Sequence, residues 1–200
     1  MQIRKHTEIR RQQIVDIIRH IITSKGIEYV TISEIASRLG TTKTAIYRHF
    51  KNKRDILSLL IDNIEETLMS KLDKAIKSDD PIQNLKNVLQ AHLTYARERR
   101  ETSFIIIMGA MQFSDTFIRR KISCLIQKYL RRIEKMISSA IELGRLKNSI
   151  NPKIAAIAFL GLIQSTVTVC FYKNFNFTPQ KIHAHLWNIY CNGIGASFDA

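Results

Sequence analysis

The segment GTTKTAIYRHFKNK, residues 40–53, carries the most informative structural pattern in the sequence. Together with the preceding helix it places Ala36, Gly40 and Ile46 at the spacing of a helix-turn-helix. Ala36 leaves room for a close helix crossing, Gly40 permits a turn with positive φ, and Ile46 anchors the following helix in the core. An ordinary helical hairpin with a solvated basic face would carry the same three residues, so the triplet alone leaves both interpretations open.

The helix that Ile46 anchors turns polar side chains outward. Lys43, Thr44, Tyr47 and Arg48 are donors suited to phosphates and base edges, on the element that enters the major groove in a helix-turn-helix. Thr31 and Thr42 stand where N-caps are expected, Thr31 with Glu34 three residues later as in a capping box. We therefore predict a DNA-binding face on this helix.

Positive charge is densest in the same part of the chain. The 200 residues carry a net charge of +14, and the first 60 hold 12 Lys/Arg against 5 Asp/Glu, which is half of the net charge. Such a balance favours a polyanionic partner, which is nucleic acid, an acidic protein or an anionic membrane. The density in the N-terminal 60 residues favours nucleic acid.

The remaining composition argues against other classes of protein. Cys124, Cys170 and Cys191 are widely spaced and form no CxxC pair, which fits a reduced cytoplasmic protein. No apolar leader follows Met1, and polar residues interrupt the apolar stretch 154–172, which we interpret as a buried helix and not as a membrane span. His183 and His185 point to different sides of a helix, so no metal site is predicted.

No pattern indicates catalysis or a cofactor. The sequence has no Gly-rich phosphate loop, no nucleophile elbow and no convergent pair of carboxylates. An enzyme is therefore the weakest of the functional hypotheses.

Apolar residues recur every three or four positions along the chain, and 7 Gly and 3 Pro punctuate it, so the prediction is an all-α fold. An N-terminal helix-turn-helix DNA-binding domain (residues 1–60) is expected to join a helical sensing and dimerisation domain (residues 61–200). Helices are predicted at about 7–24, 31–40, 42–48, 52–77, 81–100, 103–112, 115–143, 152–174 and 179–197.

Residues 40–53 resemble the recognition segment of the tetracycline-repressor (TetR) family, typically G-V-S-K-G-A-L-Y-x-H-F-x-x-K. The segment ELGRLKNSINP, residues 142–152, with the Ala and Gly pairs after it, is similar to the linker and penultimate helix of that family. The resemblance runs from about Ile9 to the last helix. Thr41 and Thr44 depart from the common Val and Gly, so base preference does not transfer from relatives.

The resemblance implies an N-terminal three-helix DNA-binding domain joined to a C-terminal helical bundle that binds a ligand and dimerises. It implies that residues 42–45 face the groove, that Tyr47, His49 and Lys53 hold phosphates, and that Phe50 is core. The predicted DNA-binding residues are Thr31, Thr42, Lys43, Thr44, Ala45, Tyr47, Arg48, His49 and Lys53.

Small residues at close intervals mark the last two predicted helices. The resemblance makes them a four-helix dimer bundle, although packing within one chain remains an alternative. A homodimer would present two recognition helices to successive major grooves of a palindromic operator, about 34–36 Å apart. The predicted interface residues are Ala158, Gly161, Leu162, Ser165, Val169, Leu186, Ile189 and Gly193.

Aromatic and Met side chains in the middle of the chain could line a pocket for a small apolar or amphipathic ligand, although core packing explains each of them as well. His92 and Gln112 are the polar candidates, but a solvent-facing position is expected for both. The candidate ligand residues are His92, Tyr95, Phe104, Met108, Met111, Gln112, Phe117 and Phe159.

Two functions compete. The first is a cytoplasmic, nucleoid-associated regulator, a repressor released from its operator by a small molecule. The second is a DNA-anchored interaction protein, because residues 54–68 also resemble the nucleoid-occlusion branch of the family. A basic stripe on the predicted helix 115–143 is either a solvated face or a surface for an acidic partner. Its residues are Arg119, Arg120, Lys121, Lys128, Arg131, Arg132 and Lys135.

Overall fold

The computed structural model of the chain describes residues 2–99, 115–172 and 178–195, with side chains described from Arg10 onward and up to Cys170 in the second range. These residues form eight α-helices and one turn of 3₁₀ helix, with no strand among them, which confirms the predicted all-α class. The elements are α1 (Gln2–Ser24), the 3₁₀ turn (Ile27–Tyr29), α2 (Ile32–Arg38), α3 (Lys43–Tyr47), α4 (Lys53–Asp73), α5 (Pro81–Glu98), α6 (Thr116–Glu142), α7 (Pro152–Tyr172) and α8 (Pro179–Ile194). The helix predicted over residues 103–112 lies outside the described residues.

The predicted N-caps are in place. The Glu34 backbone N–H donates to Thr31 Oγ1 over 3.1 Å, and the Ala45 N–H donates to Thr42 Oγ1 over 3.2 Å. Asp80 Oδ1 accepts a 2.9 Å bond from the backbone N–H of Ile82, the first N–H of α5 because Pro81 has none. Each bond satisfies a donor that would otherwise lack an intrahelical acceptor.

The fourth helix ends at Asp73, not near Lys77 as predicted. The amide of Asn84, which is 6% exposed, explains the early end. Its Oδ1 accepts from the backbone N–H groups of Lys77 (3.1 Å) and Ser78 (3.0 Å), and its Nδ2 donates to the Ser78 carbonyl (2.7 Å). These bonds satisfy the linker backbone by a side chain, so the linker needs no further helical turn.

Two other helix ends also differ from the prediction. The first helix begins at Gln2, not near residue 7, since no Gly or Pro precedes residue 7 to prevent its extension. The last helix ends at Ile194, not near 197, because Gly195 takes a left-handed conformation with φ 63° and donates back to Asn192.

The described residues belong to two compact units. The first contains the chain up to Glu66 and the start of α6 up to Ile122. Its core is built from Ile14, Ile18, Ile35, Ile46 and Ile56, each at most 1% exposed. A 2.7 Å hydrogen bond from Arg19 to Asn63 adds a polar link between α1 and α4. The predicted functional boundary near residue 60 stays a prediction.

The second unit contains α5, α7, α8 and the remainder of α4 and α6. His183 Nε2 lies 3.0 Å from the Lys86 carbonyl, which can only accept, so the ring donates and ties α8 to α5. Tyr190 Oη donates to the Ala155 carbonyl over 3.0 Å and its ring meets Phe159 edge-on at 5.1 Å, tying α8 to α7.

Candidate nucleic-acid interface

The turn between α2 and α3 has the predicted sterics. Ala36 is 3% exposed and Ile46 is 1% exposed, so both face the core of the first unit. Gly40 has φ 60°, and a Cβ built there would meet no atom within 4 Å. The glycine is therefore required by its backbone conformation and not by lack of space. Phe50 is also buried, as the resemblance implied.

The outward face of α3 carries the predicted polar residues. Lys43, Thr44, Arg48 and His49 are exposed, and Tyr47 is 54% exposed, which is high for an aromatic side chain in a helix. Ala45 is half-buried beneath them. The arrangement leaves charged and hydroxyl donors exposed to solvent, as contact with a DNA duplex would require.

Thr31 and Thr42 are exposed as well, at the starts of α2 and α3. Each hydroxyl oxygen accepts a backbone N–H, which leaves the hydroxyl proton able to donate outward. The two caps therefore each leave an exposed hydroxyl donor at the start of a helix.

Lys53 has partners within the chain that the sequence did not predict. Its Nζ donates to the carbonyls of Ile27 (3.1 Å) and Glu28 (3.2 Å), which ties the start of α4 to the 3₁₀ turn. Burial lowers the pKa of the Lys53 ammonium, although the nearby Glu28 carboxylate opposes this. An ammonium has three N–H donors, so one remains beyond these two carbonyls. A contact with phosphate stays a prediction.

Ion pairs neutralise some of the cations of the first unit and leave others exposed. Lys25 and Arg38 both bind Glu34, at 2.9 and 2.8 Å. The hydrogen bond from Arg38 lowers the pKa of the Glu34 carboxyl most, and the one from Lys25 lowers it further. Arg54 binds Asp115 at 2.6 Å. By contrast, Lys43, Arg48 and Lys51 are exposed, and no carboxylate of the described residues lies within 4 Å of them. These three residues supply exposed positive charge in and directly after α3.

Sequence reasoning also missed two pairs between α4 and α6. In the first unit, Lys121 Nζ contacts Asp62 Oδ2 at 2.5 Å and the Ser58 carbonyl at 3.2 Å. In the second unit, Arg132 Nη2 contacts Asp73 Oδ2 at 2.9 Å. Lys121 and Arg132 are eleven residues apart on α6, and Asp62 and Asp73 are eleven residues apart on α4, which is about three helical turns in each case. This matched spacing was the available signal, and it removes Lys121 and Arg132 from the predicted basic stripe.

His92 does not face solvent as predicted. Its Nδ1 lies 2.9 Å from Tyr129 Oη, and burial lowers the pKa of the imidazole to about 4. Burial likewise raises the pKa of Tyr129, so both groups are neutral at pH 7. The pair is an uncharged polar contact between α5 and α6, an arrangement that periodicity alone does not indicate.

The other candidate ligand residues are dispersed. Tyr95 is buried, with its hydroxyl 3.1 Å from Thr67 Oγ1, and Phe159 is buried against Tyr190. Phe117 belongs to the first unit, is 49% exposed and lies below the Arg54 guanidinium. The remaining candidates Phe104, Met108, Met111 and Gln112 lie outside the described residues.

The candidate interface residues leave an unpaired surface on the protomer. Val169 and Ile189 are 51% and 62% exposed, Ala158, Ser165 and Gly193 are exposed, and Gly161, Leu162 and Leu186 are half-buried. A Cβ at Gly161 or Gly193 would meet no atom within 4 Å. The glycines therefore do not serve a close crossing within one chain.

The stretch Pro152–Cys170 of α7 is long and apolar enough to cross a membrane, with hydropathy 1.7, yet 33% of it is buried within the protomer. It was predicted as a buried helix, and its other residues are half-buried or exposed in the protomer. The exposed apolar side chains Ile154, Ile157 and Val169 lie on the helix that carries Gly161.

The two histidines of α8 diverge as their spacing indicated. His183 is 8% exposed and bound to Lys86, whereas His185 is exposed. Burial lowers the pKa of His183.

Two family models match the chain. The model of bacterial regulatory proteins of the tetR family matches residues 14–60, and the model of the YsiA-like protein C-terminal region matches residues 45–193. The second spans more than half of the chain and overlaps the first in the recognition segment.

Individual proteins resemble the chain over nearly its full length. The nucleoid occlusion factor SlmA of Vibrio vulnificus is 26% identical over 184 residues, covering 89% of this chain and 92% of its own length. The fatty acid degradation regulator FadR from Bacillus halodurans has a TM-score of 0.82 at 20% identity, covering 94% and 97% of the two chains.

The transcriptional regulator FadR from Bacillus subtilis, solved in complex with stearoyl-CoA, has a TM-score of 0.80 at 21% identity, covering 92% of this chain and 98% of its own. At such identities the solved structures establish the fold alone. The helix-turn-helix geometry and the two family models establish more: the chain belongs to the TetR family and is a helix-turn-helix DNA-binding regulator of transcription.

Proposed function

We propose that the protein is a dimeric repressor that reads a palindromic operator through α3 and is released from it by an amphipathic small molecule. The observation that carries this proposal is the outward face of α3, where Lys43, Thr44 and Arg48 are exposed beside a buried anchor, Ile46. The protein would act at the nucleoid in the cytoplasm, by binding and without catalysis or a cofactor.

Contacts with DNA divide into two kinds. Tyr47, His49 and Lys53 would hold phosphates, together with the capping hydroxyls of Thr31 and Thr42. Lys43, Thr44, Ala45 and Arg48 would approach base edges in the major groove. Phosphate contacts position the helix, and base contacts carry sequence preference.

Dimerisation would bury the apolar surface of α7 and α8. Ile189, Val169 and the exposed Ile154 and Ile157 are each at least 48% exposed on one protomer, which is costly for aliphatic side chains in water. A second copy is the occupant that the family fold favours, since two recognition helices must meet two half-sites.

The ligand class we propose is a fatty acyl-coenzyme A. The structural relative from Bacillus subtilis was solved with stearoyl-CoA. The second unit of this chain has an apolar interior that includes Tyr95 and Phe159. The His92–Tyr129 pair adds neutral hydrogen-bonding groups to this interior. An acyl chain and a polar head would use both features.

The test begins with an operator selected from a random duplex library by the purified dimer. Stearoyl-CoA should then reduce operator affinity at least about tenfold, a coupling of about 1.4 kcal/mol. Coenzyme A alone and stearate alone serve as controls for charge and for detergency. An operator affinity that none of the three compounds changes would contradict the proposed ligand class while leaving DNA recognition standing.

A second function is supported by the relatives named nucleoid occlusion factors. In this alternative the protein binds many dispersed sites on DNA and contacts another protein there. Genome-wide mapping of bound sites distinguishes the two functions: one or a few sites in promoters favour the repressor, whereas many dispersed sites outside promoters favour the interaction protein.

A further inference from the structure

The 3₁₀ turn before α2 leaves one aromatic side chain in solvent. Tyr29, the last residue of the turn, is 52% exposed, whereas the next residue, Val30, is buried in the core of the first unit. Burial of Val30 fixes the orientation of the backbone here, so the Tyr29 ring stays outside. In the described parts of the chain, no hydrogen bond joins the Tyr29 hydroxyl to another residue. The hydroxyl therefore keeps an O–H donor for a group outside these residues.

Backbone and side-chain hydrogen bonds hold this turn in place. The Val30 backbone N–H donates to the Ile27 carbonyl over 3.2 Å. Lys53 Nζ donates to the carbonyls of Ile27 and Glu28, and the second of these oxygens belongs to the peptide bond that joins Glu28 to Tyr29. From the bond lengths of a trans peptide, Lys53 Nζ lies within about 6 Å of the Tyr29 Cα. Tyr29 is thus held beside the ammonium that ends the segment 40–53.

We propose that Tyr29 is a further DNA-contact residue, whose phenol donates a hydrogen bond to a phosphate of the DNA backbone. Tyrosine hydroxyls are among the side-chain donors that bind phosphate oxygens, and such contacts fix the register of a protein on the duplex without reading its sequence. The proposal rests on DNA binding by the first unit and is independent of the small molecule.

Three Tyr or Phe side chains are exposed in the described part of the first unit, and they differ in their partners. Phe117 lies below the Arg54 guanidinium, whose Cζ is 6.0 Å from the ring centroid. Tyr47, which is 54% exposed on α3, is a residue for which the family resemblance implies a phosphate contact. Tyr29 matches Tyr47 in residue type and in exposure, so we assign it the same kind of partner.

The Glu28 carboxylate would repel a phosphate, but it lies toward the start of the turn. A Cβ built on Gly26 would be 2.6 Å from both carboxylate oxygens, so the carboxylate lies against Gly26, whereas Tyr29 is at the other end of the turn. A neutral phenol is also less affected than an ammonium by this carboxylate, because it carries no net charge.

The test measures full-length wild type and variants on the selected operator and on a scrambled duplex by fluorescence anisotropy. Tyr29→Phe removes the hydroxyl alone and should weaken binding to both duplexes about threefold to tenfold, with sequence preference retained. The log-log salt slope should stay unchanged, because a phenol neutralises no phosphate charge. An unchanged slope distinguishes this variant from Lys53→Ala.

Two further measurements separate a DNA contact from a structural role. Tyr29→Phe should unfold at the same urea concentration as the wild type, because the hydroxyl has no hydrogen-bond partner in the described parts of the chain. Tyr29→Ala should weaken DNA binding at least as much as Tyr29→Phe. The control Leu143→Ala, which removes a 64% exposed side chain from the second unit, should change DNA affinity less than about twofold.

Operator duplexes that each carry one uncharged methylphosphonate locate the contact. At one phosphate in each half-site, the replacement should weaken the wild type at least about threefold more than it weakens Tyr29→Phe, because the variant has already lost the hydrogen bond. A residue that only stabilises the fold would show no such coupling to a single phosphate.

Three results would overturn the proposal. They are wild-type affinity of Tyr29→Phe for both duplexes, a loss confined to the operator, which would indicate a base contact, and a loss accompanied by lower stability without coupling to any single phosphate. Failure of the wild type to bind any selected duplex would instead contradict the proposed operator binding together with this contact, so the two failures are distinguishable.

Discussion

His92 is held in its neutral form by its surroundings. Its Nδ1 lies 2.9 Å from Tyr129 Oη, and burial moves the pKa of the imidazole from its usual 6.5 to about 4. The unfolded chain therefore binds a proton near pH 6.5, and the folded protein does so near pH 4. Stability from this site is fully present above pH 6.5 and is lost as the pH falls toward 4.

We predict that lowering the pH from 7 to 5 reduces the free energy of unfolding of the wild type by about 2 kcal/mol more than that of His92→Gln. The exposed His185→Gln variant is the control and should follow the wild type. Urea titrations at both pH values measure the difference. If the wild type and His92→Gln lost the same stability, the burial of His92 would not control its ionisation.

Lys53 is expected to have two roles, which two measurements separate. Loss of its bonds to Ile27 and Glu28 should make Lys53→Ala about 1 kcal/mol less stable than Lys51→Ala, its exposed neighbour. Loss of a phosphate contact should lower the log-log salt slope of DNA binding by about one unit, with sequence preference retained. If Lys53→Ala lowered the stability but left the salt slope of DNA binding unchanged, Lys53 would have a structural role and no phosphate contact.

Residue roles set by local geometry were predictable from the sequence. Gly40, Ala36 and the caps Thr31 and Thr42 depend on the backbone within a few residues, so spacing revealed them. The partners of Lys53, His92 and Lys121 depend on residues that are 25 to 63 positions away in the sequence. Apolar periodicity does not identify partners so distant in the sequence, and the matched eleven-residue spacing in α4 and α6 was the one signal available for Lys121.

At the scale of elements, α7 and α8 carry the prediction for dimerisation. Gly161→Leu should keep the protomer folded, because a Cβ there meets no atom within 4 Å, and should weaken the dimer by about 1–3 kcal/mol through overpacking.

Ile189→Glu should also weaken the dimer, because it places a charge in an apolar seam. Leu143→Glu is the matched control, since Leu143 is 64% exposed and Ile189 is 62% exposed. Analytical ultracentrifugation should give monomers for the first substitution and dimers for the second. Dimers of unchanged affinity for all three variants would exclude this seam.

Helix existence followed from apolar periodicity, but some helix ends did not. The early end of α4 depends on Asn84, a buried amide that binds the linker backbone from the next helix. Asn84, a polar residue directly before the apolar Leu85, was the available clue, although its target could not be read from the sequence. A tertiary contact replaced about one helical turn that local propensity favours.

At the scale of the whole molecule, the architecture was predictable because two local patterns agreed. The helix-turn-helix spacing in residues 36–53 and the distant segment 142–152 indicated the same family, which the family models confirm. The candidate ligand residues stay a prediction, since the same aromatic side chains serve a core or a ligand.

We propose that α3 reads bases while its neighbours hold phosphates. The most direct test is a binding titration of variants on the selected operator and on a scrambled duplex. Lys43→Ala and Thr44→Ala should each lose about 1–3 kcal/mol of preference for the operator and little affinity for the scrambled duplex. Tyr47→Phe should weaken both duplexes by similar factors and keep the preference. Intact preference in the Lys43 and Thr44 variants, with preference lost in Tyr47→Phe, would contradict the account.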